Sequence, residues 1–276
     1  MKRLIVLPAV LALLACGGDD KKSDSAQIVA PVAREMSVIA KEFSFEAPDT
    51  VPAGFTRVKL TNQGTEPHHI VFVRLDSGRV VGELLQSMGS GKFPNWAVLL
   101  GGPNAPMPGA TTETVLELTP GNYAVLCLIP SFDGMPHVAK GMVRPLLVTG
   151  PAGETAPPSA DIVMTLSDFA FNVSTPITAG PHVLRVDNVA EQPHELVMVK
   201  LEPGRSVQEF AAWAEKPQGP PPGALVGGTS PQAKGTTNYV ITDFAPGDYG
   251  FICFMPDAKD GKLHLLHGMI HQFTIG

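Results

Sequence analysis

The sequence predicts an all-β protein built from two tandem β-sandwich domains. Residues 42–130 repeat at 168–256 with a constant offset of 126 and no gap, which is an internal repeat of domain size. Within each copy, short apolar or alternating runs are separated by Gly, Pro and Asn turns, the pattern of sandwich strands. A segment rich in Pro, Gly and Ala, residues 150–160, separates the copies. We therefore expect domains at residues 37–149 and 161–276.

The N-terminus predicts a lipoprotein signal peptide over residues 1–15. Two basic residues precede an apolar run that is too short to span a bilayer as a stable helix. The run ends in LLAC, which resembles a bacterial lipobox, and cleavage before Cys16 would leave that thiol to carry a diacylglycerol anchor. The alternative is an ordinary signal peptide with a chance cysteine. Residues 16–36 have no apolar periodicity and predict a flexible tether.

Each domain is expected to contain one short helix. Apolar residues at three- and four-residue spacing indicate it, and Ser206 with Glu209 forms a capping-box pattern in the second copy. The Gly- and Pro-rich segments that follow, residues 89–109 and 216–235, predict long loops over a sheet edge.

Charge and cysteine content exclude some functions. The formal net charge is −6, and no basic cluster favours a nucleic-acid partner. Of the three cysteines, Cys16 is assigned to the anchor. A disulfide between Cys127 and Cys253 is disfavoured, because the two occupy equivalent positions in separate sandwiches and a bridge needs Cα atoms within about 7 Å.

The segment from Cys127 to Met142 collects three candidate metal ligands in one loop. Cys127 ends a strand-like run that follows a Pro-Gly turn, and His137 and Met142 follow it. A further imidazole, His68, stands upstream after an Asn-containing turn and a Pro. Two imidazoles, a thiolate and a weak thioether are the donors of a blue-copper site.

The second copy keeps all four donors. One inserted residue after position 256 changes the offset to 127, and the equivalent residues are His194, Cys253, His264 and Met269. A lone Cys or His is usually a buried or hydrogen-bonded residue. Retention of four chemically related positions in both copies favours metal binding over that interpretation.

These motifs resemble the plastocyanin-like branch of the cupredoxin family. The matched residues are Asn62, Pro67, His68, Tyr123, Cys127, His137, Gly141 and Met142 in the first copy, and Asn188, Pro193, His194, Tyr249, Cys253, His264, Gly268 and Met269 in the second. The resemblance implies Greek-key cupredoxin-like domains, with copper as the cofactor at up to two type 1 ions per chain. It also implies electron transfer as the function.

Two departures from the family pattern bear on the site. The family places only a few residues between the Cys and the loop His, whereas this chain has nine in the first copy and ten in the second. Each insertion contains an Asp-Gly pair, at Asp133 and at Asp260, which reverses a chain cheaply. The residue after the first His also differs between the copies, His69 in one and Glu195 in the other.

Three functions remain open from the sequence. The first is an electron carrier that passes electrons to a redox protein partner through exposed edges of His137 and His264. The second is copper capture or delivery in the cell envelope, and the third is a metal-free binding module. In each case the membrane is a partner through the lipid anchor, which places the protein on the periplasmic or cell-surface face, with the outer membrane as one location.

An enzyme is not expected. Multicopper oxidases and copper nitrite reductases use further His pairs for a second kind of copper centre, typically as His-x-His or His-Cys-His. Here Cys127 lies between Leu126 and Leu128, and Cys253 between Ile252 and Phe254. The remaining histidines without a counterpart in the other copy are expected at the surface or beside the ligands: His69, His182, His267 and His271.

Overall fold

A computed structural model describes residues 33–90, 93–151, 153 and 155–276 of the chain. The predicted signal peptide, the Cys16 anchor and most of the tether lie outside the described residues. The first strand begins at Arg34, so the last three residues of the predicted tether belong to a strand. No helix of the described part is long and apolar enough to cross a membrane.

The first sandwich packs a four-stranded layer against a five-stranded sheet. Its strands are β1 (Arg34–Lys41), β2 (Ser44–Glu46), β3 (Thr50–Pro52), β4 (Gly54–Asn62), β5 (Val71–Leu75), β6 (Ala97–Leu99), β7 (Thr111–Leu118), β8 (Gly121–Leu126) and β9 (Val143–Thr149). One layer has the order β2-β1-β4-β7, and the other has the order β3-β9-β8-β5-β6. Helix α1 (Val81–Gly89) follows β5.

The second sandwich repeats this arrangement. Its strands are β10 (Ile162–Ser167), β11 (Ala170–Val173), β12 (Gly180–Asn188), β13 (His194–Leu201), β14 (Gly223–Gln232), β15 (Thr237–Phe244), β16 (Gly247–Ile252) and β17 (Ile270–Ile275). The layers have the orders β11-β10-β12-β15 and β14-β13-β16-β17. Helix α2 (Val207–Glu215) follows β13, and its predicted capping box is present, since Ser206 and Glu209 bond reciprocally.

Alternation of buried and exposed residues sets the core of each sandwich. In β4 every second side chain is fully buried, which is the period expected of a strand with one face on a core. A tyrosine in each unit fixes the turn before the Cys-bearing strand: the Tyr123 hydroxyl donates to the Thr119 carbonyl at 2.8 Å, and Tyr249 donates to Ala245 at 2.9 Å. The predicted all-β fold is therefore confirmed.

The two sandwiches share one continuous sheet. Strand β7 pairs antiparallel with β15, which joins the two outer layers into an eight-stranded sheet. The segment after β6 also bridges to β14, through Leu100 with Gln232 and Pro103 with Thr229. Residues 89–109 and 216–235, predicted as loops over a sheet edge, instead contain β6 and β14 and build the interface. The sequence pattern did not predict these two strands because the segments are rich in Gly and Pro, and both residues weaken the pattern expected of a strand.

Candidate metal centres

A buried asparagine shapes the turn that delivers the first imidazole of each centre. In the first sandwich, the Asn62 side chain donates to the Glu66 carbonyl at 2.8 Å and accepts from Gly64 N–H at 2.8 Å. Asn188 makes the same two bonds in the second sandwich, to Gln192 and from Ala190. The buried asparagine side chain thus satisfies backbone groups of the tight turn that follows it.

Backbone hydrogen bonds close the loop that carries the other three candidate ligands. Cys127 N–H donates to the Met142 carbonyl at 3.2 Å, and Met142 N–H donates to the His137 carbonyl at 2.9 Å. The equivalent bonds from Cys253 to Met269 and from Met269 to His264 are 3.2 and 3.0 Å. Cysteine, histidine and methionine backbones are therefore held together in the same way in both copies.

The inserted residues leave this loop and return to it. Pro130 pairs with Pro136 in an isolated bridge, and Pro256 pairs with Leu263. At each tip a glycine has positive φ, 83° at Gly134. This φ lies in the region that only glycine adopts without strain. The insertions therefore form short excursions that leave the loop histidine in place, as the Asp-Gly pairs predicted.

Three ligand atoms converge in the first centre. Nδ1 of His68 lies 3.0 Å from Nδ1 of His137, and Sγ of Cys127 lies 3.4 Å from Nδ1 of His137. The ligand atoms of all three residues lie within 4.8 Å of one another, and all three side chains are buried. Met142 is fully buried in the same core cluster as Cys127.

The second centre has the same arrangement. Sγ of Cys253 lies 3.4 Å from Nδ1 of His264 and 3.9 Å from Nδ1 of His194. These ligand atoms also lie within 4.8 Å of one another, and the three residues are buried. Met269 is fully buried in the cluster that contains Cys253. Both cysteines are free thiols, which agrees with the prediction that they do not form a disulfide.

The spacing of these atoms fits a trigonal metal of the first transition row. With metal–nitrogen and metal–sulfur bonds of about 2.0 and 2.3 Å, ligand atoms at trigonal angles lie about 3.5 to 3.8 Å apart. The sulfur–nitrogen distances in the second centre, 3.4 and 3.9 Å, match that size, and the distances in the first centre are slightly shorter. Two imidazoles, one thiolate and a buried methionine are the donor set that copper favours in this geometry.

Burial favours the neutral form of three of the candidate imidazoles. It lowers the pKa of His68 to about 4, with the neighbouring His137 as a second cause, and lowers the pKa of His264 to about 4 with a contribution from His194. Burial also lowers the pKa of His194. Neutral imidazoles have lone pairs to offer a metal at neutral pH.

Burial has the opposite effect on the thiols. It raises the pKa of Cys127 to about 12 and raises the pKa of Cys253 well above its ordinary value. Because a metal binds the thiolate, each cysteine releases a proton on loading, and metal affinity falls as the pH falls.

A carboxylate orients one imidazole in each centre, and it is a different imidazole in each. In the first centre, Nε2 of His137, the loop histidine, lies 3.0 Å from a Glu66 oxygen. In the second, Nε2 of His194, the strand histidine, lies 3.0 Å from an Asp168 oxygen. Such partners fix the tautomer of a ligating histidine and raise its basicity. Sequence reasoning missed both acids, since an acidic residue in a turn gives no signal of its target.

The loop histidines are covered by aromatic rings. Phe43 packs edge-on against His137 with centroids 5.2 Å apart, and Phe169 packs in the same way against His264 at 5.0 Å. Both histidines are fully buried. The expectation of exposed histidine edges is therefore wrong, because the inserted loops and these phenylalanines close over them. The repeat had paired Phe43 with Phe169, which was the available signal.

The unmatched histidines divide into two groups. Two contact the centres: His69 is buried beside the Cys127 strand end, and His267 stacks on Phe169 with centroids 4.7 Å apart. The other two lie elsewhere, His182 against Asp161 and His271 beside Phe273.

A third group of ligand-type side chains lies next to the second centre. Atoms of Asp257, Asp260 and His267 also come within 4.8 Å of one another, although the last two residues are partly exposed. These three residues lie in one loop and include no His-x-His pair, so the absence of such pairs does not exclude further metal sites.

Comparisons with known proteins gave structural matches. No family model matches the chain, and no curated protein matches it. It is similar to auracyanin from Roseiflexus castenholzii at 20% identity, covering 43% of this chain and 99% of that one with a TM-score of 0.30. It is also similar to a multicopper oxidase at 18% identity, covering 88% and 89% of the two chains with a TM-score of 0.26.

A copper-containing nitrite reductase from Thermus scotoductus matches at 13% identity, covering 89% of this chain and 62% of that chain, with a TM-score of 0.26. The prediction that the protein is not an enzyme is contradicted by these matches, because the multicopper oxidase and the nitrite reductase are enzymes. The prediction had rested on missing His pairs, and a motif search cannot test for residues that only the fold brings together.

Proposed function

We propose that the chain is a copper-binding redox protein that transfers electrons through two type 1 centres. The observation that carries the proposal is the convergence of two imidazole Nδ1 atoms and one thiol sulfur in a buried pocket, twice in one chain. His68, Cys127, His137 and Met142 would hold the first copper. His194, Cys253, His264 and Met269 would hold the second.

Copper in such a site supplies a one-electron redox couple. The protein contributes a fixed, dry environment around that couple. Both ligand loops are closed by backbone hydrogen bonds, and the rings of Phe43 and Phe169 exclude water from the loop histidines. Rigid ligands that need not rearrange suit rapid gain and loss of an electron. Lys140 lies over the Phe43 ring at 4.6 Å, so a partner would approach the first centre through this cation and ring.

The proposal places the protein in the cell envelope, anchored by a lipid on Cys16. The LLAC ending supports the anchor, and the polar segment after it suits a tether. The two acyl chains of the diacylglycerol and an N-terminal acyl group on Cys16 would together exceed the single chain that gives only marginal membrane binding. Copper capture or delivery in the same compartment is the alternative that uses the same ligands.

A copper titration of the soluble fragment from residue 33 tests the proposal. Two equivalents of Cu(II) should bind and give the intense visible absorption of a thiolate–copper site. Cys127→Ser and Cys253→Ser should each remove one equivalent and its colour. Met142→Leu and Met269→Leu should keep the colour and shift the reduction potential, because a thioether would bind the copper only weakly. Retention of full colour after both Cys substitutions would refute the proposed ligand set.

Reversible reduction separates electron transfer from copper handling. A carrier should cycle through repeated reduction and oxidation without losing copper to a competing chelator. Release of copper on each reduction would instead support delivery. The wild-type fragment and the Met142→Leu variant should be measured side by side, since the variant keeps the three strong ligands.

A further inference from the structure

In each sandwich, the backbone N–H of the residue after the candidate cysteine ligand donates a hydrogen bond to a side chain, and the two acceptor residues occupy equivalent positions. Leu128 N–H donates to Nε2 of His69 at 2.9 Å. Phe254 N–H donates to a carboxylate oxygen of Glu195 at 3.0 Å. Both acceptors directly follow the first histidine of their centre, and both are buried. Each candidate cysteine is therefore one peptide group away from a buried polar side chain.

Asn104 lies between these two side chains at the interface of the sandwiches. Its amide donates to the second carboxylate oxygen of Glu195 at 3.4 Å, and to the carbonyls of Leu196 and Thr229. Burial lowers the pKa of His69, and the Asn104 side chain acts against that effect by raising it. Asn104 belongs to the first sandwich and Glu195 to the second, so this contact crosses the interface.

From Leu128 to Glu195 the donors and acceptors are arranged in one direction, and Glu195 also accepts from Phe254 N–H on the other side. Because Nε2 of His69 accepts a hydrogen bond, the neutral ring carries its proton on Nδ1. That Nδ1 is buried and has no hydrogen-bond partner at normal distance among the described residues, and the side chain beside it is Asn104. The Asn104 oxygen already accepts from Ala105 N–H at 2.8 Å and can accept once more. A buried donor without an acceptor is costly, which favours closure of this last link.

We propose that His69, Asn104 and Glu195 form a hydrogen-bonded bridge that couples the two metal centres. Through it, metal bound in one centre changes the metal affinity and reduction potential of the other. The bridge runs from the Cys127 strand end to the Cys253 strand end through side chains that polarise one another in a buried environment. This inference rests on the proposed function, since it requires both centres to bind copper.

The sign of the coupling follows from charge. Each centre exchanges a thiol proton for a divalent ion, so loading adds one positive charge. Loading of the first centre should therefore weaken binding at the second, and by thermodynamic linkage the effect is reciprocal. We expect about fivefold weaker binding or more, the lower end of measured couplings between sites.

The test compares copper affinities in the presence of a competing chelator. Cys127→Ser and Cys253→Ser give the affinity of each centre alone, and wild-type protein gives the affinity when both load. The product of the two copper association constants of the wild-type protein should be about fivefold smaller than the product of the association constants of the two single-centre variants. In a His69→Leu background the two products should agree. His69→Gln, which keeps an acceptor for Leu128 and a donor toward Asn104, should restore the difference.

Two further variants test whether the coupling depends on this bridge. Glu195→Gln preserves the shape of the side chain but can place an NH₂ group against the Asn104 amide, so it should also remove the coupling if His69→Leu does not fold. Ser230→Ala removes a different buried hydrogen bond across the interface, to the Ile70 carbonyl at 2.6 Å, and should leave the coupling unchanged.

Three results would overturn the bridge, and a fourth would refute the proposed function. Equal products in wild-type protein, or a difference that survives both His69→Leu and Glu195→Gln, would overturn the bridge. Loss of the coupling in Ser230→Ala would show that general interface contacts carry it, and would overturn the bridge as well. Absence of copper binding in both single-centre variants would instead refute the proposed function. The reduction potential of the second centre should differ between wild-type protein and Cys127→Ser, and this difference should disappear in the His69→Leu background.

Discussion

Glu66→Gln should weaken copper binding at the first centre without disturbing the fold. The Glu66 side chain is largely buried and accepts from Nε2 of His137 at 3.0 Å and from the Ser131 hydroxyl at 2.8 Å. Glutamine keeps the length of the side chain and one acceptor oxygen. It removes the charge that makes the imidazole a stronger donor to a metal. It also replaces the oxygen that accepts from Ser131 with an NH₂ group, to which the Ser131 hydroxyl can offer a lone pair.

The size of the effect can be estimated from the hydrogen bond. A bond to a charged group contributes about 1.5–3 kcal/mol, against about 1 kcal/mol for a neutral one. The difference, about 0.5–2 kcal/mol, corresponds to a loss of about 2- to 30-fold in affinity. This agrees with the effect of removing partners of metal-ligating histidines elsewhere, about 10- to 100-fold. The reduction potential should rise, because the lost negative charge had favoured the oxidised ion.

The assay uses a Cys253→Ser background, so that only the first centre binds copper. Copper affinity is measured by chelator competition, and the potential by spectroelectrochemistry. Glu46→Gln is the control, because it removes the same charge from an exposed side chain away from the centre. Asp168→Asn in a Cys127→Ser background should reproduce the effect at the second centre, through His194. An affinity and potential that match the control would refute the assigned role of Glu66.

Three other predictions concern pH, the anchor and the domain boundary. The metal-free fragment should lose stability as the pH falls from about 6.5 toward 4, because histidines such as His68 bind protons less readily folded than unfolded. Burial raises the pKa of Glu195 to about 7, so this group opposes the loss of stability over the same pH interval. Chemical denaturation should still show a lower free energy of unfolding at pH 5 than at pH 7. Equal denaturation midpoints at the two pH values would contradict the prediction. The Cys16→Ala variant should move from the membrane fraction to the soluble fraction, and a variant that stays with membranes would exclude the lipid anchor. Residues 161–276 alone should unfold cooperatively on heating and should self-associate in sedimentation, because removal of the first sandwich exposes the edge of β15. A non-cooperative transition would show that the two sandwiches fold only as one unit.

The candidate ligands could be predicted because each is tied to a strong local signal. Cys127 ends an apolar strand after a Pro-Gly turn, and His68 follows an asparagine that organises the turn before it. The repeat then supplied a second sample of the same pattern. Such signals survive in the sequence because the strands and turns that position the ligands are local structures.

The surroundings of the centres could not be predicted in the same way. Glu66 and Asp168 are acidic residues in turns, and their partners lie 71 and 26 residues away in the chain. Burial of His137 depends on the inserted loop and on Phe43, whose placement is set by tertiary packing. Contacts of this kind have no period in the sequence.

The interface between the sandwiches could not be predicted from the sequence either. Gly228 looked like part of a loop, but it lies in β14 with a φ of 112°, and a Cβ there would stand 1.8 Å from the Leu196 carbonyl oxygen. Glycine is required at this position because two backbones approach closely, and not because the chain turns there. Two glycine pairs repeat at the offset of 126, Gly101 with Gly227 and Gly102 with Gly228, and they were a sign in the sequence that these segments were constrained.

Differences between the two copies indicate that the centres are not interchangeable. The ligand residues match one for one, whereas the carboxylate partner has moved from the loop histidine, His137, to the strand histidine, His194. The acceptor beside the cysteine has changed from a neutral imidazole at His69 to a carboxyl group at Glu195. Partners of this kind tune potential more than they determine which metal binds. Under the proposed function, two centres with one ligand set and different partners should therefore differ in reduction potential, and this difference would give an electron a preferred direction between them.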